Sequence, residues 1–204
     1  MIRDALNDRP PHGDKAIGHI VLVGLSGSGK STVGRLLAVH LGRPFLDTDS
    51  LIVALAGRSI PELFATAGEA AFRAVERQAV GEALAGPPAV IATGGGAPVD
   101  ATNREALWRG NFVVWLDAPV PMLAGRLGRS GAGRPLLADG VAERLTALST
   151  ARRHIYATAN LRLDTSRRPA ADVAAAILAA PELSLESERA PEPEQIHEQE
   201  TRVR

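Results

Sequence analysis

Residues 24–32 read Gly-Leu-Ser-Gly-Ser-Gly-Lys-Ser-Thr, directly after the apolar run Ile20-Val21-Leu22-Val23. This is a complete P-loop, and its position constrains fold and chemistry together. Gly24, Gly27 and Gly29 permit backbone conformations that present successive N–H groups to a phosphate chain. Ser28 and Thr32 complete the loop, Lys30 can reach the outer phosphates, and Ser31 offers a hydroxyl to Mg²⁺. From Ser31 to Leu41 the apolar residues Val33, Leu36, Leu37 and Leu41 have helical spacing, so the positive end of a helix dipole faces the loop. Strand, loop and helix in that order is the context the motif requires. Lys30 is one of only two lysines in the chain, the other being Lys15, so a lysine here is not background composition. A bare glycine turn is the bland alternative. A dinucleotide-binding turn fits less well, because no third glycine follows at the needed spacing.

The 204 residues suit one α/β domain with tails. Hydrophobic residues make up 45% of the chain and aromatics 3%, so Ala, Leu and Val must supply most of the core. Net charge is zero, which gives no electrostatic argument for a nucleic-acid or membrane partner. The absence of cysteine excludes disulfides, thiolate metal sites and cysteine nucleophiles. No apolar run approaches the roughly 18 residues of a membrane helix, and the N-terminus is not signal-like. A soluble, cytoplasmic protein is expected. Residues 1–17 read as a flexible extension. The stretch 182–204, rich in Glu, Pro, Gln and Ser, reads as a disordered acidic tail.

Between these tails, strands are expected over 19–24, 44–47, 89–93, 112–116 and 160–164. Helices are expected over 30–41, 60–85, 100–109, 119–128, 140–158 and 170–180. Strand and helix in alternation predict a parallel sheet covered on both faces. The 60–85 stretch reads as two helices, with capping boxes available at Ser59/Glu62 and Thr66/Glu69, and Gly86-Pro87-Pro88 ends it.

Ligands of such sheets collect at the carboxyl ends of the strands. There the sequence places Asp47-Thr48-Asp49, then Thr93-Gly94-Gly95-Gly96, then Asp117-Ala118-Pro119. In an extended segment the two aspartates face one side; one could hold a Mg²⁺ water while the other takes a proton from an attacking hydroxyl. They could equally cap the next helix. Three glycines at a strand end make sense if something must approach the backbone closely, although a plain turn would also use them. Arg73 lies four residues after Glu69 and three before Glu76, a spacing that a surface ion pair would explain. Arg129 and Arg134 flank a glycine-containing stretch suited to a loop closing over phosphates. Arg152 lies on a helical stretch shortly before Tyr156.

In combination these segments resemble the shikimate kinases. The likeness rests on the P-loop, Asp47-Thr48-Asp49, the run from Phe64 through Gly68-Glu69, Phe72-Arg73 and Glu76, the triple glycine, Arg134-Pro135-Leu136-Leu137, Arg152 with Tyr156, and Arg167-Arg168-Pro169. They occur in the family's order over about residues 18–180. The resemblance implies an α/β P-loop fold, a three-layer α/β/α sandwich with five parallel strands in the order 2-3-1-4-5 and a mobile lid at about 126–140. It implies a monomer that transfers the ATP γ-phosphoryl group to the 3-hydroxyl of shikimate, in aromatic amino-acid biosynthesis. Lys30, Asp49 and Arg134 would be catalytic, Asp49 as proton acceptor. Asp49, Arg73, Arg152 and Gly94, Gly95 and Gly96 would bind shikimate. The residues Gly27 through Thr32, with Arg129, Arg134 and Arg168, would bind ATP. Ser31 would ligate Mg²⁺ and Asp47 would contact it through water. The family commonly has Arg-x-Pro-Leu-Tyr where this chain has Arg152-Arg153-His154-Ile155-Tyr156, so either arginine could meet the carboxylate, and position relative to Tyr156 favours Arg152. Two other readings are a kinase for another hydroxy acid such as gluconate, and a nucleotide-binding module without catalysis.

Overall fold

A computed structural model describes residues 17–129 and 140–183. Five parallel strands form one sheet: β1 (Ile20–Val23), β2 (Phe45–Asp47), β3 (Val90–Ala92), β4 (Phe112–Asp117) and β5 (Leu161–Asp164), in the order β2-β3-β1-β4-β5. The connecting helices are α1 (Lys30–Leu41), α2 (Thr48–Ala56), α3 (Ile60–Ala85), α4 (Ala101–Trp108), α5 (Val120–Arg129), α6 (Val141–Tyr156) and α7 (Ala170–Leu178). The expected sheet, strand order and helices on both faces are therefore present.

The central strands are apolar throughout because both of their faces are covered. Ile20, Leu22, Phe112, Val114 and Leu116 bury one face against Val33 and Leu37 of α1 and Val173 and Ile177 of α7. Val21, Val23, Val113 and Trp115 point the other way, against Val80, Leu107, Leu123, Leu145 and Tyr156 from α3, α4, α5 and α6. Since β1, β3 and β4 run side by side in the middle of the sheet, their carboxyl ends open onto one shared floor. The edge strand β5 alternates in exposure instead, as expected with one neighbour.

Two local expectations need correction. Only Asp47 is extended; the chain turns at once into α2, which was not anticipated. Asp47 is its N-cap, accepting from the Asp49 N–H at 3.0 Å, so Asp49 sits in the first turn of a helix. Both the capping role and the clustering of the two carboxylates hold. The overlooked signal is Leu51, Ile52 and Leu55 at helical spacing, closed by Gly57.

The expected break in the 60–85 stretch exists, but not where Thr66 would cap it. Ser59 and Glu62 form a full capping box. Thr66 instead donates to the Glu62 carbonyl within the helix. The kink falls at Gly68, with φ 78° and ψ −179°. That backbone region is essentially closed to other residues, and a Cβ there would meet no atom within 4 Å, so strain alone opposes substitution. Gly68→Ala is expected to lower stability by about 1–3 kcal/mol, read as a fall in Tm. An unchanged Tm would mean that the kink relaxes without cost.

Among the described residues no single helix is long and apolar enough to cross a membrane. Arg134 lies outside the described residues, as do most of the expected lid and the expected tails. The first residues assigned to that lid, from 126, continue α5.

Candidate active site

The P-loop runs from the end of β1 into α1, with Gly24, Gly27 and Gly29 all at positive φ. Lys30 folds back, its ammonium donating to the carbonyls of Gly24 at 2.9 Å and Leu25 at 3.0 Å. It is buried, and burial lowers its pKa to about 8, with the nearby Asp49 and Asp47 carboxylates opposing that shift and Arg152 adding to it. Ser31 Oγ donates to Asp47 Oδ2 at 2.7 Å. One hydroxyl and one carboxylate side by side, with open space beyond, is the donor set Mg²⁺ uses when phosphates and water complete its octahedron. No cluster of three metal-ligating side chains occurs among the described residues, so a metal here would depend on its other ligands. Ser28 Oγ, in the loop itself, is buried and without a partner.

The loop forms one wall of a cavity of about 570 Å³ that also takes in Asp47, Asp49, Thr93, Gly95, Arg126 and Arg168. Gly27 to Thr32 and Arg168 thus share one space, as anticipated. Arg126 was not singled out in the sequence. It donates to the carbonyls of Gly27 and Thr165 and to Thr165 Oγ1, bonds to backbone and to a distant hydroxyl that leave no pattern in a linear reading. Arg129 is the last residue of α5.

A second group gathers around the glycine turn after β3. Gly94 N–H donates to Thr48 Oγ1 at 2.8 Å, which fastens the turn to α2. A Cβ on Gly94 would stand 2.5 Å from Asp49 Oδ1. On Gly96 it would stand 3.3 Å from Arg73 Nη1 and 3.7 Å from Arg152 Nη2. The glycines are therefore a matter of close approach: side chains here would collide with the carboxylate or fill the space between two guanidinium groups. Asp49, Arg73, Arg152 and Gly94–Gly96 come together as the sequence suggested.

Each of these groups is held by something else. Arg73 donates to Glu76 at 2.8 Å and Glu69 at 3.2 Å, so the ion-pair explanation is true as well. Glu76 is only 2% exposed and fixes one side of the guanidinium. Tyr156 is buried and donates to the Gly95 carbonyl at 2.5 Å; burial raises its pKa, and the positive charge of Arg152 opposes that shift. Arg153 turns away, its guanidinium 5.6 Å from the Trp115 ring. Asp49 has its pKa raised, first by burial and then by the Asp47 carboxylate, with Lys30 pulling the other way. A carboxylate pushed upward in this manner is a better proton acceptor near neutral pH.

Chemically, the arrangement sets an anion cradle with one cation beside a carboxylate and a fork for a second, smaller anion. Lys30 carries a pH dependence with a definite sign. Phosphate favours the protonated ammonium, so anion affinity is full below pH 8 and weakens above it, by up to about tenfold per pH unit. Calorimetric titration of ADP between pH 7 and 9.5 checks this; Lys30→Met is expected to bind weakly with no such slope. The same slope in Lys30→Met would assign the effect elsewhere.

Comparison with known proteins places the chain in a family. The shikimate kinase family model matches residues 26–182. A shikimate kinase of Symbiobacterium thermophilum is 52% identical over 163 residues, covering 78% of this chain and 94% of its own. A structure of the Acinetobacter baumannii shikimate kinase in complex with shikimate superposes with a TM-score of 0.75 at 36% identity, covering 86% of this chain and 97% of the other. A gluconokinase from Sinorhizobium meliloti shares the fold at a TM-score of 0.55 and 25% identity, over 84% of this chain and 94% of its own. With the matching model spanning most of the described residues and identity to curated relatives near one half, the chain belongs to the shikimate kinase family.

Proposed function

We propose that this protein transfers the γ-phosphoryl group of ATP to the 3-hydroxyl of shikimate, giving shikimate 3-phosphate. One observation carries the proposal: Arg73 and Arg152 converge on the Gly94–Gly96 turn, with the Asp49 carboxylate between that turn and the P-loop. Two guanidinium forks suit a carboxylate, which shikimate has and which can be gripped through paired hydrogen bonds. The flanking glycine backbone leaves room for a hydroxylated ring.

When bound, ATP supplies the phosphoryl group and Mg²⁺ neutralises charge on its outer phosphates. The protein's own groups position and compensate, which is most of what phosphoryl transfer needs. Backbone N–H groups of residues 27–32 would hold the phosphates, with Lys30 supplying positive charge to the outer ones. Ser31 and Asp47, already paired, would serve the metal, Ser31 directly and Asp47 through water. Asp49 orients the acceptor hydroxyl and takes its proton. Arg168 and Arg126 line the same cavity as the P-loop, and Arg168, with Arg129, would flank the adenine. Arg134 would add positive charge from the lid at the migrating group. We further propose a cytoplasmic monomer that acts on small molecules and needs no nucleic-acid or membrane partner.

Gluconate as acceptor has less in its favour, since the gluconokinase structure matches at 25% identity and a TM-score of 0.55 against 36% and 0.75 for the Acinetobacter shikimate kinase. A non-catalytic module is disfavoured by Lys30, Asp49 and Arg73 being present together and in position. The purified protein, assayed for ADP formation with ATP and either acid, tests all three. Shikimate-dependent, Mg²⁺-dependent ADP release is expected. Release with gluconate alone, or with neither acid, would overturn the proposal.

A further inference from the structure

Thr165 follows β5 and is only 3% exposed, yet the phosphate-binding motif and the acceptor turn do not include it. Its hydroxyl meets three groups from three parts of the fold. Its single proton is shared between the Ser28 carbonyl at 3.3 Å and the Asp117 carbonyl at 3.2 Å, and its oxygen accepts from Arg126 Nη1 at 3.1 Å. Arg126 adds bonds to the carbonyls of Gly27 at 3.3 Å and Thr165 at 2.5 Å. Thr165 lines the same cavity as the P-loop, Arg126 and Arg168.

The placement of the chain here does not need the hydroxyl, because the Thr165 N–H already donates to the Asp117 carbonyl at 2.8 Å. What the hydroxyl adds is directed at its neighbours. The Ser28 carbonyl and the Gly29 N–H belong to one planar trans peptide and point in opposite directions. A donor that holds the Ser28 oxygen outward therefore turns the Gly29 N–H inward, where a phosphate would lie. The same oxygen of Thr165, as acceptor, fixes one arm of Arg126 in the cavity.

We infer that Thr165 is a positioning residue for the nucleotide: its hydroxyl sets the Ser28–Gly29 peptide and the Arg126 guanidinium in register before a nucleoside di- or triphosphate arrives. This rests on the cavity being the nucleotide site. It requires nothing about the acceptor.

The test compares Thr165→Val, which keeps the shape and removes the hydroxyl, with Thr165→Ser, which keeps the hydroxyl. ADP affinity is measured by calorimetry in the absence of any acceptor, followed by KM for ATP and shikimate and by Tm. Thr165→Val is expected to weaken ADP binding and raise KM for ATP roughly tenfold, the scale of a lost hydrogen bond to a charged group. KM for shikimate stays within twofold, and Thr165→Ser returns ADP affinity to within twofold of the parent. Should Thr165→Val fail to fold, Thr165→Ala, which also lacks the hydroxyl and adds no bulk, carries the same expectation. ADP affinity unchanged in the hydroxyl-free variant would overturn the inference. So would an equal rise of both KM values, or a Ser variant no better than the Val one. Because the calorimetry needs no turnover, an error in the acceptor assignment shows separately, as ADP binding without shikimate phosphorylation.

Discussion

Asp49→Asn is expected to lower kcat by about 10²–10⁴-fold, the range that a positioned general base contributes, and to leave ADP affinity within twofold. Asparagine keeps the size of the side chain and its place in the first turn of α2, so the Asp47 cap and the neighbouring Ser31–Asp47 bond are undisturbed. What disappears is the ability to take a proton. Asp49 also carries its own pH signature. Burial and the Asp47 carboxylate raise its pKa above the usual value for an aspartate. In the proposed role the ionised form is the active one, so kcat/KM for shikimate is expected to fall as pH drops through that raised pKa, with the acid limb of the profile due to Asp49. In Asp49→Asn the residual rate loses this limb. Retention of kcat within tenfold, with the limb intact, would make Asp49 a binding group and place proton transfer elsewhere.

Arg152→Ala is expected to raise KM for shikimate by about 100-fold, on the scale of a charge-assisted, two-bond contact, with KM for ATP within twofold. The neighbouring Arg153→Ala changes both by less than twofold, because its guanidinium lies over Trp115 and away from the turn. This pair separates the site from general surface charge better than Arg73 can. Arg73 is bonded to Glu76, a carboxylate that is 2% exposed. Removing Arg73 strands that charge, so Arg73→Ala loses stability together with shikimate affinity. Adding Glu76→Gln to Arg73→Ala is expected to recover Tm and leave KM high. Equal losses for ATP and shikimate in Arg152→Ala would argue that Arg152 supports the fold through Tyr156 and the Gly95 carbonyl.

The parallel sheet was legible because its inner strands are continuous apolar runs and its turns carry glycine and proline. The P-loop was legible because its chemistry needs a fixed order of residue types in nine consecutive positions. The grouping of Asp49, Arg73 and Arg152 at the glycine turn was legible only as a combination, since an arginine on a helix or three glycines in a turn have ordinary explanations when taken singly. Indeed the ordinary explanation of Arg73 is also correct: Glu69 and Glu76 hold it, and by holding it they aim it. The misses share a cause. The helix from Thr48 escapes a linear reading, which leaves Asp47 and Asp49 either on an extended segment or capping a helix, because a short helix beginning at a strand end shows only three apolar residues at helical spacing. Arg126 and Thr165 were passed over because their partners are main-chain carbonyls of Gly27, Ser28 and Asp117, remote in sequence and identical in every residue. The kink at Gly68 was misplaced to Thr66 because a threonine three before a glutamate looks the same whether it caps a helix or bonds back within one.

A crystal structure of the protein with ADP and shikimate bound tests the central assignment most directly. The acid group should lie within about 3 Å of the guanidinium nitrogens of both Arg73 and Arg152, with the ring against Gly94–Gly96 and a hydroxyl at the Asp49 carboxylate. An acid group seated away from both arginines, or a ring whose hydroxyls all turn from Asp49, would contradict it.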